Sequence, residues 1–178
     1  MELKKAIETR RSIRRFEERP VEEDALRELI RLASFAPSWK NTQTVRWHPI
    51  TDRAVMSALA NGPALGHPGN RDVIESAPLL LVETCISGRS GFERDGSYST
   101  PKGDRWEMFD AGVAAQTLCL AAHDMGLGTV IMGAVDTVAV AETIGLDPAR
   151  TVSCLIAVGY PDQQPLMPKR KTVEELLS

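Results

Sequence analysis

The stretch AGVAAQTLCLAA, residues 111 to 122, lies in the longest helical segment of the sequence and is apolar around most of its circumference. A helix lying on a wet surface keeps one polar side; one that is apolar nearly all round belongs in the middle of a core or against another subunit. This segment, residues 105–125, is therefore expected to lie centrally in the core or against another subunit, and a stop follows it at Gly126, Leu127, Gly128. The chain has 178 residues, enough for one substantial core, and no repeat, low-complexity run or shift of composition divides it. One domain over residues 1–178 is expected.

Working outward, a compact Leu/Val run predicts a strand at residues 77–84, further strands are expected at 45–50, 129–134 and 151–158, and helical periodicity falls between them. Leu3, Ala6 and Ile7 form the stripe of a short helix over residues 3–11. VEEDALRELIRLASFAP, after Pro20, carries acidic residues in its first turn and a Leu26, Leu29, Ile30, Ala33 stripe, and must stop before Pro37. Thr51 or Asp52 can cap a helix through Leu59, and Asp136 one through Ile144. NGPALGHPGN, residues 61–70, reads as a loop. Helices interleaved with separated strands predict layers of helix around a sheet, with strand order left open. Residues 87–104 form a long polar connection with four glycines, but also Phe92 and Tyr98, which suggests a lid or pocket wall.

Composition excludes several classes of function. With 21 basic against 24 acidic residues, a net charge of -3 is wrong for a broad nucleic-acid surface. Cys85, Cys119 and Cys154 are widely spaced in apolar surroundings, which predicts buried free thiols rather than a disulfide framework or a zinc site. His48, His67 and His123 lack metal-ligand spacing, and neither HExxH nor a GxSxG elbow occurs. No run approaches the roughly 20 apolar residues needed to span a bilayer, and no leader is visible, so no membrane partner and a cytoplasmic location are expected.

Against that balance, TRRSIRRF at residues 9–16 concentrates four arginines, and Lys169, Arg170 and Lys171 form a second cluster near the other end. Continued helical spacing would turn Arg10 and Arg14 along the inward stripe, with a break near residues 11–13. A guanidinium on the core side requires an anion or fixed dipole to meet it. A phosphate monoester fits the planar fork of arginine, so Arg10, Ser12 and Arg170 can form a phosphate cup if the termini converge.

These segments together resemble the FMN-dependent nitroreductase family: RRSIRRF, then APSWKNTQ (residues 36–43), then GLGTVIMG, VGYP and PKRKTVEELL in the same order. The resemblance covers nearly the whole chain. It implies an α+β, three-layer sandwich with a central, mainly antiparallel sheet flanked by helices, and a homodimer with flavin sites at its interface. It implies FMN as cofactor, with Arg10 and Ser12 on its phosphate, assisted by Arg11 and by Arg170 or Lys171. Arg14 would lie near the N1/O2 edge of the ring, where negative charge accumulates on reduction. Pro37, Ser38 and Asn41 would contact the flavin with Gln43 in support, and Met132 and Gly133 would bring backbone to the ring. The implied activity is hydride transfer from NAD(P)H to FMN and then to a small planar acceptor, a nitroaromatic or a quinone. A different flavoprotein role, in storage, regulation or reductive dehalogenation, is the alternative. Phe35, Trp39, Phe92, Tyr98 and Trp106 are pocket candidates that ordinary packing would also explain. Three features depart from the family pattern: Thr44 and Thr172 each stand where proline is common, and the tryptophan usual immediately after Thr44 is missing.

Overall fold

Four strands, β1 (Val45–Ile50), β2 (Leu79–Ile86), β3 (Gly128–Met132) and β4 (Arg150–Gly159), pair entirely antiparallel in the order β1-β2-β4-β3. The computed structural model describes residues 1–62, 66–67 and 69–177. The two central strands are apolar at successive positions because both faces of the sheet are covered. Leu79 and Leu81 of β2, with Ile156 and Val158 of β4, face one layer, formed by α2 (Glu23–Ala33) and α5 (Arg105–Asp124). Leu80 and Val82, with Leu155 and Ala157, face the opposite layer of α3 (Arg53–Asn61), α4 (Asn70–Ser76) and α6 (Thr137–Thr143). The result is a three-layer α+β sandwich. Among the described residues no helix is long and apolar enough to cross a membrane.

The caps behave as their chemistry dictates. Asp52 accepts from the amides of Ala54 and Val55, and Asp136 from those of Val138 and Ala139. α5 buries Ala111, Ala114, Ala115, Leu118, Cys119 and Ala122 against the sheet and α2. Its other side is not covered: Phe109 is 56% exposed, Gly112 and Gln116 are exposed, and Val113 and Leu120 are half-buried. The apolar circumference of residues 111–122 is thus half explained within one chain. All three cysteines are free and buried.

Two expectations are corrected. The first helix, α1 (Leu3–Thr9), ends before the arginines: Arg10 turns to ψ 133 and the chain is non-helical through residues 10–16. The inward side chains there are Ile13 and Phe16, 6% exposed each, not Arg10 and Arg14. A parallel edge contact causes this, Ile13 N–H donating to the Thr129 carbonyl at 2.9 Å beside the Ser12 and Thr129 bridge. The second concerns α4, for which the sequence predicts no element because the hydrophobic pattern does not reveal it. With Val73 and Ile74 its only buried apolar residues, seven residues are too few to display a period. The loop expected at 61–70 lies partly outside the described residues.

Gly128 does more than stop a helix. A β-carbon there would lie 2.6 Å from Ile13 Cγ1, and one at Gly159 would lie 2.6 Å from Pro78 and 2.9 Å from Phe16. Both glycines let the 10–16 segment lie flat on β3 and β4. Gly128→Ala should therefore lift that segment, costing about 2 kcal/mol in urea denaturation. The same variant should weaken retention of any anion held by Arg10 and Ser12.

Candidate functional site

The 10–16 segment and the tail leaving β4 run against each other. Glu17 N–H donates to Tyr160 O at 2.9 Å, Asp162 N–H donates to Arg15 O at 3.1 Å, and Phe16 bridges Pro161. Arg19 lies over the Tyr160 ring, 3.8 Å from its centre. The tail then passes the arginines, and a groove of about 500 Å³ forms whose walls are Arg10, Arg11, Ser12, Arg14, Pro165, Leu166, Pro168 and Arg170. The two chain ends converge. Leaving the helix at Arg10 brings Arg10, Ser12 and Arg14 onto one groove wall, with Arg11 beside them.

This groove has four guanidinium groups on its walls and no carboxylate. Among the described residues Arg10, Arg14 and Arg170 enter no ion pair, whereas Arg11 donates to the carbonyls of Glu8 and Arg10 at 2.9 and 2.8 Å. Positive charge is also felt nearby. His123 is held below the ordinary histidine pKa, first by burial and then by Arg10 and Arg11. An unpaired cluster of this kind, with a hydroxyl between the cations, suits a phosphate dianion. Lys171 follows Arg170 but is not on the groove wall.

A second group gathers elsewhere. Pro37, Ser38, Gln43 and Thr44 line a cavity of about 390 Å³ with Leu26, Ile30 and Ala33 of α2 and Val45 and Trp47 of β1. Asn41 is tied to this edge, its N–H donating to Ser38 O at 3.0 Å, and Gln43 N–H donates to Ser38 Oγ at 2.9 Å. Lys40, Asn41 and Gln43 have φ of 44, 56 and 48 degrees, left-handed conformations unusual for residues with a β-carbon. Met132 is buried in the sheet core and Gly133 is exposed just beyond β3, apart from both cavities.

The two groups attach to opposite ends of α5. Trp39 N–H donates to Asp110 near its start, and Thr9 Oγ1 pairs with His123 Nε2 at 2.8 Å near its end. Thirteen residues at ~1.5 Å each place them about 20 Å apart along the helix axis. Neither the 390 Å³ cavity nor the 500 Å³ groove is lined by both groups.

With this geometry in place, the sequence profile of the nitroreductase family matches residues 7–160. The chain belongs to the nitroreductase family. An NADPH-flavin oxidoreductase of Vibrio harveyi is 31% identical over 163 residues, 87% of this chain and 64% of that protein. An NADH dehydrogenase of Thermus thermophilus is 28% identical over 200 residues, 99% of this chain and 95% of that one. Among solved structures, a protein assigned as a nitroreductase from Desulfovibrio desulfuricans, in complex with FMN, has 27% identity and a TM-score of 0.79. The alignment covers 99% of this chain and 95% of that chain.

The two departures at proline positions of the nitroreductase pattern have distinct outcomes. Thr172 caps α7 (Val173–Leu176) in a reciprocal box with Glu175, a role that needs the hydroxyl and the N–H that proline lacks. Thr44 is 1% exposed and its hydroxyl has no partner among the described residues. Thr44→Val removes that orphan at nearly constant volume, so urea denaturation should show a gain of about 1 kcal/mol. A further feature carries no signal in the sequence. Glu83 sits in β2 on the α5 side, 1% exposed, accepting from Cys154 Sγ at 3.2 Å while Oε1 has no partner. Burial pushes its pKa up to about 7. A single acid inside the LLLVET run is indistinguishable by pattern from a strand end.

Proposed function

We propose that this chain is an FMN-dependent oxidoreductase that takes electrons from NAD(P)H and delivers them to a small planar acceptor, a nitroaromatic or a quinone. The observation that carries the reading is the groove where both termini meet, with Arg10, Ser12, Arg14 and Arg170 on its walls and no carboxylate to neutralise them. The unpaired cations fit the flavin phosphate. The names of the relatives support the cofactor and the nicotinamide donor.

Bound FMN supplies the redox chemistry, accepting a hydride and passing the electrons on. The chain's residues bind and orient. Arg10 and Ser12, with Arg170 across the groove, would hold the phosphate; Arg11, already engaged by two carbonyls, adds field rather than a bond. Arg14, exposed on the same groove, is free to oppose negative charge on the ring. Ser38, Asn41 and Pro37, supported by Gln43, would contact the ring, with Met132 and Gly133 offering backbone.

The separation of about 20 Å between the anchor points of the two groups on α5, with neither cavity lined by both, supports a flavin site built from two copies of the chain. A two-fold homodimer supplies this, the start of one α5 meeting the groove of its partner. The uncovered side of α5 and the exposed Val173, Leu176 and Leu177 of the tail support such an interface. Free buried thiols support a cytoplasmic site of action. The test is the visible spectrum of the purified protein, identification of the released chromophore, and anaerobic addition of NADH and NADPH separately. Bleaching of bound FMN, followed by recovery on adding a quinone or nitroaromatic, is expected. A protein that stays colourless after FMN titration would overturn the reading.

A further inference from the structure

Asp110 is 2% exposed, and among the described residues it enters no ion pair. Its two oxygens instead accept from Trp39 N–H, at 3.1 and 2.9 Å, and Oδ2 also accepts from the Ser90 hydroxyl at 2.5 Å. A buried carboxylate without a cation is a costly way to satisfy one amide and one hydroxyl. What it adds is strength, since hydrogen bonds to an ionised acceptor are about twice as strong as neutral ones.

That strength is applied where the backbone needs it. The residues immediately after Trp39 are the left-handed Lys40, Asn41 and Gln43, each costing ~1–2 kcal/mol relative to ordinary conformations. Such strain persists only where surrounding bonds over-determine it. Here Asp110 holds the entrance at Trp39, Ser38 accepts from the amides of Asn41 and Gln43, and Lys40 pairs with Glu93 at 2.8 Å. The loop that carries Ser90 is tied to the same helix, because Glu107, three residues before Asp110, accepts from Gly88 N–H at 2.7 Å.

We infer that Asp110 is a positioning residue which, from the second turn of α5, locks residues 39–43 in the strained shape that presents Ser38 and Asn41 to the flavin. The role rests on the proposed FMN site. It differs from a purely structural role in what it moves: the ring end of the site changes, the phosphate end does not.

Asp110→Asn in the full chain keeps the size and leaves one acceptor oxygen for two donors. In flavin-free protein, amide hydrogen exchange at residues 39–43 should accelerate about tenfold, while Leu118 and Ala122 of α5 keep their wild-type rates. FMN and riboflavin should both bind about tenfold more weakly, so the ratio of their affinities stays at its wild-type value. The visible band of the bound flavin should shift. Wild-type exchange at 39–43, or unchanged affinity and spectrum, would overturn the inference. Should the variant not fold, Ser90→Ala frees the carboxylate to rotate and tests the same lock at about threefold amplitude; wild-type behaviour there would overturn it equally. If wild-type protein binds no FMN, the proposed function fails on that arm and the positioning role falls with it, while the exchange data still report whether Asp110 holds the segment.

Discussion

Arg10→Ala lowers FMN affinity by about two orders of magnitude and leaves riboflavin affinity within about threefold of wild type. The magnitude follows from removing charge-assisted hydrogen bonds to a phosphate, together worth about 3 kcal/mol where every 1.4 kcal/mol is tenfold. The selectivity follows from geometry. Arg10 is half-buried on the groove that joins the termini, and its neighbours on that wall are Ser12, Arg14 and Arg170 rather than any residue of the 37–43 segment. Titration by flavin fluorescence quenching reads both constants. An equal loss for FMN and riboflavin would place Arg10 at the ring or make the variant a folding defect. Salt should mimic the mutation in part, because a phosphate contact at an open groove is screened.

Glu83→Gln makes the protein more stable above neutral pH and has little effect in acid. The carboxyl of Glu83 is buried with one oxygen unpartnered, and desolvation raises its pKa from 4.5 to about 7 in the folded chain. Between those values the folded state holds a proton that the unfolded state has released, so stability falls as pH rises through this window. Above pH 7 the loss reaches its full value of about 3 kcal/mol, because each pH unit separating the folded from the unfolded pKa is worth about 1.4 kcal/mol. Glutamine cannot ionise, so the variant's stability should be flat where wild type declines. Urea denaturation at pH 4 and at pH 8 measures the difference, near zero at the first and about 3 kcal/mol at the second. A variant that tracks wild type across the range would show that Glu83 carries no such burden. Cys154 shares the site, its thiol pushed up by burial and then by Glu83, so it stays protonated and donates.

Much of the architecture was legible because local signals agreed with the tertiary answer. β1 spans the residues expected of it, Asp52 and Asp136 cap as their position suggests, and the long apolar helix packs on the sheet beside α2. Failures occur where one distant contact overrides local pattern. The helix expected to reach residue 11 stops at Thr9 because Ile13 finds the Thr129 carbonyl and packs on Gly128. Helical spacing groups Arg10 with Arg14, and the non-helical segment also carries both onto one groove wall, with Arg11 and Ser12. The requirement for Gly128 to lack a β-carbon is invisible in GLGT, where Gly126, at φ 78, already explains the motif as a stop. Asp110 shows the limit most clearly. It reads as one more acidic residue near a helix start, and its importance lies in Trp39 and Ser90, which are 71 and 20 residues away.

If each flavin site joins the arginine groove of one chain to the 37–43 segment of another, subunit mixing will show it directly. Arg10→Ala removes the phosphate end. Asn41→Gly removes a ring-side group while keeping the left-handed backbone that Asn41 adopts, at φ 56. Each variant alone should fail to retain FMN through gel filtration. Denatured together in equal amounts and refolded, half of the dimers will be mixed, and each of those contains one site with both halves intact, so about a quarter of the wild-type flavin should be retained. Retention no better than that of the separate variants would contradict a site shared between two chains.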